Sequence, residues 1–148
     1  MRPKLILLSC SLILLIAAST YSPGVSAACT FTALEVGQGD AILIQTADQQ
    51  DILIDGGPDD GVVDRLGQAL PAGDRDIELM VLTHPHADHV NGLLAVTERF
   101  TVHRVLATGL PYEQQAYKIW QAMLNEKNIP INYARSGQRY IVGSVIFD

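Results

Sequence analysis

The stretch ELMVLTHPHADHVNG, Glu78 to Gly92, constrains this chain more than any other. An apolar run from Glu78 to Thr83 delivers the backbone to His84, His86, Asp88 and His89, which hold three of the chain's 4 histidines. Residues two apart on an extended segment point to the same side. Pro85 disfavours helix and keeps His84 extended. His84 and His86 can therefore face one ion. Asp88 and His89 are adjacent, where the chain leaves a loop for a helix, so they point in different directions and can serve a second ion. A lone His-x-His pair on a loop is more often a surface accident. The full His-x-His-x-Asp-His set, after an apolar strand and before Asn-Gly and a helix, points to metal binding, because imidazole and carboxylate are ligands of zinc and similar metals.

The rest of the chain supplies a frame for that loop. Cys29–Val36 alternates loosely and reads as a strand, followed by a turn at Gly37-Gln38-Gly39-Asp40. Ala41–Thr46 and Asp51–Ile54 read as a strand pair, the second ending at Asp55 with Gly56-Gly57-Pro58 behind it. Helical spacing predicts helices over Val62–Leu70, Leu93–Phe100 and Tyr112–Lys127, the last with Tyr112, Ala116, Ile119, Trp120 and Met123 inward. Further strands are expected at Glu78–Thr83, Val102–Ala107, Ile131–Ala134 and Tyr140–Phe147. Early hairpins followed by strand–helix alternation predict an α/β (α+β) fold, a mixed sheet covered by helices.

The first 27 residues are read as a separate unit. Arg2 and Lys4 precede a nearly unbroken apolar run, Leu5 to Ala18, and Val25-Ser26-Ala27 is a small-residue cleavage site. That is the layout of a secretory signal peptide. The run is shorter than the roughly 20 residues a membrane-spanning helix needs, so no stable span is expected after cleavage. The predicted organisation is a signal peptide over 1–27 and one domain over 28–148, exported to the periplasm or beyond. An uncleaved anchor or a lipidated Cys29 is the alternative. Cleavage leaves eight basic residues against 16 acidic ones, a net charge of −8. Such a domain is not a general nucleic-acid binder, since phosphate binding needs clustered Lys and Arg. It also loses Cys10 and keeps only Cys29, which excludes an intrachain disulfide and a Cys-rich zinc site.

THPHADHVNG resembles the signature of the metallo-β-lactamase superfamily. LEVGQGDAILIQT, DILIDGGP and ELMVLTHPHADHVNGL together resemble the hydrolase domain of ComEC/Rec2-type competence proteins and their stand-alone exported relatives. The resemblance covers Thr30 to about Phe100. It implies an αββα sandwich, of which this chain would be the N-terminal half only. It implies two divalent metal ions, zinc in both positions, with manganese as the alternative metal. His84 and His86 would hold the first, and Asp88 and His89 the second, with Asp88 also handling a proton. Asp55 would brace the histidine loop without binding metal.

The expected activity is metal-activated hydroxide attacking an ester-type bond, with two ions roughly 3.5–4 Å apart stabilising the developing charge. The substrate expectation is a phosphodiester or another small molecule. Nucleic acid is open on the resemblance but not supported by the charge. The alternatives are hydrolysis of a small ester, lactone or lactam, and a non-catalytic domain that binds metal or a partner. Superfamily sites take further ligands from the C-terminal half, yet no histidine follows His103, and the only later carboxylates are Glu113, Glu126 and Asp148. The chain is therefore expected to be a fragment of a longer hydrolase. A natural short form would need a partner or dimer to cover an exposed apolar sheet face.

Overall fold

The computed structural model describes residues 28–148. The expected signal peptide over 1–27 lies outside them. The main sheet has six strands in the order β1-β2-β3-β5-β7-β8: β1 Thr30–Ala33, β2 Ile42–Gln45, β3 Asp51–Ile54, β5 Leu79–Leu82, β7 Val105–Ala107 and β8 Ile131–Tyr133. The first three run antiparallel, and from β3 onward the pairs are parallel. Three helices, α1 Gly61–Ala69, α2 Ala87–Arg99 and α3 Gln115–Glu126, connect the later strands. A small parallel pair, β4 Asp76–Ile77 with β6 Thr101–Val102, lies beside them. Among the described residues, no helix is long and apolar enough to cross a membrane.

The sheet is apolar on both faces, which explains why ILIQ, DILI and LMVL read as continuous runs rather than alternating ones. Alternate residues nonetheless go to opposite sides. Leu43 pairs with Leu53, Leu53 with Met80 and Met80 with Val105, and this row packs beneath the helices. Ile44 pairs with Ile52 and Ile52 with Leu79, and this row faces the other way. On the helical side, Trp120 donates its Nε1–H to Thr97 Oγ1 at 3.1 Å, and Thr97 donates to the Leu93 carbonyl at 2.6 Å. That relay ties α3 to α2 inside an apolar core.

Four expectations change. Val102–Ala107 is not one strand but two, β6 ending at Val102 in the small pair and β7 starting at Val105 in the main sheet. Tyr140–Phe147 is not one strand but a hairpin, β9 Tyr140–Val142 and β10 Val145–Phe147. The turn at Gly143-Ser144 breaks it, and Asp48 Oδ1 accepts hydrogen bonds from the Ser144 N–H and hydroxyl at 3.0 Å each. The hairpin lays Val142 over Ile44, Ile52 and Leu79, so the second sheet face is partly covered within the chain. Ile141 and Ile146 then point outward. The long helix begins at Gln115 rather than Tyr112, which places Glu113 in the preceding loop. Its buried residues are Tyr117, Trp120 and Leu124, while Tyr112 and Ile119 are exposed. Finally, α2 begins at Ala87 and runs straight through Asn91-Gly92.

Candidate metal centre

The early start of α2 decides where the metal-binding residue types sit. His86 is the extended residue that caps the helix, and its carbonyl accepts from the N–H groups of His89 and Val90 at 3.0 Å each. Asp88 and His89 thus stand in the first helical turn, not in a loop leading to it. A carboxylate at that end is favoured by the exposed N–H groups and the helix dipole. His84 lies just beyond β5, and Asp55 just beyond the parallel neighbour β3. The cluster therefore gathers where adjacent parallel strands end and a helix begins, the usual ligand position in such sheets.

Three loops are stitched together there by backbone hydrogen bonds. Gly56 N–H donates to His89 O at 2.9 Å, Gly57 N–H to Asp40 O at 2.9 Å, and Gly92 N–H to Gly57 O at 3.1 Å. Two glycines permit this closeness. A Cβ on Gly92 would collide with the Gly56 carbonyl, and one on Gly39 would collide with the Asp88 carbonyl. Gly39 also takes a left-handed φ of +77°, which glycine adopts freely. The Gly37-Gln38-Gly39-Asp40 turn is thus the floor on which α2 starts. Asp40 takes part through its backbone carbonyl.

Asp55 organises the side chains. It is buried and holds a left-handed φ of 58°, a conformation Asp tolerates better than most residues. Its Oδ1 accepts the Thr83 N–H at 2.9 Å. Its Oδ2 accepts the Thr83 hydroxyl at 2.5 Å and lies 2.8 Å from His89 Nδ1. Thr83 Oγ1 lies 3.0 Å from His84 Nδ1. One donor atom from each of Asp55, His84 and His89 lies within 4.8 Å of the others. With both Asp55 oxygens engaged by the loop itself, we read this carboxylate as a brace and not as a ligand.

The imidazoles crowd together. The His84 ring centroid is 3.9 Å from that of His89 and 4.5 Å from that of His86. Asp88 Oδ1 is 3.9 Å from His89 Nε2. His89 is buried, His84 and Asp88 are half-buried, and His86 is exposed. All four sequence-selected residues are brought to one place, with His84 flanked by both other histidines. This donor set of imidazoles and a carboxylate, with His89 Nδ1 occupied by Asp55 and Nε2 turned toward Asp88, fits a divalent ion of the zinc type.

Two participants carried little signal in the sequence. Thr83 is the hydroxyl residue directly before His84, and its role emerges only from the contact with Asp55. Tyr112 lies far along the chain, yet its ring centroid is 5.7 Å from that of His86. Beside it, a cleft of about 250 Å³ is lined by Leu110, Tyr112, Tyr117 and Tyr133, among others. Two other basic side chains pair at the surface. His103 Nε2 lies 2.9 Å from Asp76 Oδ1, and Arg139 pairs with Asp148.

The fold is of a hydrolase type, with a group of side chains at its strand ends that could hold a metal ion. Residues 34–127 match the metallo-beta-lactamase superfamily, more than half of the 148-residue chain, and the chain belongs to that superfamily. Its members are generally metallo-hydrolases. No curated protein matches the chain. Among solved structures it resembles the Rm3 metallo-beta-lactamase, at 20% identity and a TM-score of 0.54 over 77% of this chain and 45% of that one. It also resembles a Cronobacter sakazakii metallo-beta-lactamase with a HARLDQ motif, at 19% identity and a TM-score of 0.50 over 80% and 47% of the two chains. These likenesses establish the fold. The chain spans less than half the length of either structure.

Proposed function

We propose that this chain carries the N-terminal metal-ligand loop of an exported metallo-hydrolase acting on a phosphodiester. The observation that supports it most is the convergence of His84, His86, Asp88 and His89 around a buried Asp55 at the ends of two parallel strands. We assign His84 and His86 to a first divalent ion and Asp88 and His89 to a second, zinc in each case. A bound ion would polarise the scissile bond and activate water. The chain's own residues do the rest. Asp55 holds His89 in place, the glycine floor fixes the start of α2, and half-buried Asp88 can take or return a proton. The likeness of LEVGQGD, DILIDGGP and THPHADHVNG to ComEC/Rec2-type domains favours the phosphodiester. A net charge of −6 favours a small one over nucleic acid.

The test is direct. The purified chain, dialysed against zinc, is analysed for metal and assayed with bis(p-nitrophenyl) phosphate and with a chromogenic lactam. The reading expects bound zinc that is lost in His86→Ala, consistent with loss of a metal ligand. Phosphodiester cleavage by this chain alone that falls at least 100-fold in the same variant would support the substrate assignment and overturn the fragment expectation. Lactam cleavage without phosphodiester cleavage would transfer the assignment to that substrate. Zinc without either activity would favour a metal-binding role alone. Export is tested by the N-terminus of the protein recovered from its host, expected near Ala28.

A further inference from the structure

Asp55 reaches two histidines by different routes, and the difference has a chemical consequence. His89 touches the carboxylate itself, through Nδ1 at 2.8 Å. His84 does not. Its Nδ1 lies 3.0 Å from the Thr83 hydroxyl, and that hydroxyl lies 2.5 Å from Asp55 Oδ2. A hydroxyl has one proton to give, and an ionised carboxylate has none. The Thr83 proton must therefore point to Asp55. The Thr83 oxygen is left to accept, and only a protonated His84 Nδ1 can donate to it. The Thr83 N–H is spent on Asp55 Oδ1 at 2.9 Å, which fixes the backbone from which the hydroxyl projects.

We infer that Thr83 is a positioning residue that passes the hydrogen-bond polarity of Asp55 to His84, holding that ring as the Nδ1–H tautomer with Nε2 free to bind zinc. One buried carboxylate thereby orients two ligands, His89 directly and His84 through one hydroxyl. No such contact from Asp55 reaches His86, the exposed member of the set. The inference rests on the metal-site reading above, but its first readout needs no metal.

The experiment uses the ¹⁵N-labelled full chain and long-range proton–nitrogen correlation of the histidine rings, without metal and at a pH where the rings are neutral. In the native protein His84 and His89 are both expected as Nδ1–H tautomers. In Thr83→Val, His84 shifts toward the Nε2–H tautomer while His89 keeps its own, because its bond to Asp55 is intact. Thr83→Ser restores the native pattern. Thr83→Ala carries the same expectation as valine without the branched methyl. Zinc affinity, read by chelator competition, falls about tenfold or more in Thr83→Val and recovers in Thr83→Ser. An unchanged His84 tautomer in both hydroxyl-free variants overturns the inference, as does zinc affinity equal to native in them. Native protein that shows the tautomers but binds no zinc overturns the metal reading instead, leaving the polarity relay standing.

Discussion

At the scale of single residues, the molecule spends buried carboxylates in two opposite ways. Asp55 is surrounded by donors and stabilises what it touches. Asp51 is 4% exposed, its Oδ1 has no hydrogen-bond partner, and Glu78 and Asp74 stand nearby. Burial first, then those two negative charges, push its carboxyl above the usual aspartate range, with a hydrogen bond from Gln45 opposing. A raised folded-state value means the folded protein holds this proton more tightly than the unfolded chain. Stability is therefore lost as pH rises through the window between the two values, and the deficit is complete above it. Asp51→Asn should raise stability at pH 7 by about 1 kcal/mol, the low end of the cost of a badly placed buried polar group. Urea unfolding at pH 7 and at pH 4 checks this, and the gain should shrink at the lower pH. The brace role of Asp55 was an expectation from the family resemblance of DILIDGGP, while Asp51, the first residue of the same stretch, carried no hint of its burial.

At the scale of elements, the decisive event is the start of α2. Asn91-Gly92 looks like a helix breaker in sequence, and a helix was expected only from Leu93. The helix instead begins at Ala87, because Gly92 lets its second turn lie on the Gly56 carbonyl and the Gly92 N–H reaches Gly57 O. The missing side chain is the reason for the glycine, and backbone contact outweighs its poor helix propensity. Gly92→Ala should raise helix propensity yet destabilise the protein by about 1–3 kcal/mol, the range for overfilling a packed site. Thermal unfolding measures the loss, and histidine-ring chemical shifts should move with it, since the same contact sets His89. The hairpin at Tyr140–Phe147 was likewise hidden. Its turn is anchored by Asp48, 96 residues earlier, a contact no local pattern reveals.

At the scale of the whole molecule, the described residues form a well-packed helical face and a more sparsely covered opposite face. Among the described residues, twenty-one buried side chains form the cluster under the helices, against four in the cluster under the hairpin. Stability is therefore expected to depend on what binds the native state. Zinc at about 100 times its dissociation constant should add ~2.7 kcal/mol. A calorimetric scan with and without zinc reads this as a higher Tm, and His84→Ala should abolish the increment while leaving the metal-free fold intact, since the ring is only half-buried. An increment that persists in His84→Ala would place zinc elsewhere on the chain.

The sequence by itself determined most of the strand cores and the mixed α/β class, and singled out His84, His86, Asp88 and His89 as the candidate ligands. These are carried by local patterns, namely apolar runs, turn residues and a dense ligand motif. Only the tertiary structure decided that Asp88 and His89 belong to a helix, that Thr83 stands between Asp55 and His84, and that Tyr112 comes beside His86. Each of those depends on segments tens of residues apart meeting at the strand ends. Such meetings are fixed by close backbone packing at Gly39, Gly56 and Gly92, where the information lies in an absent side chain.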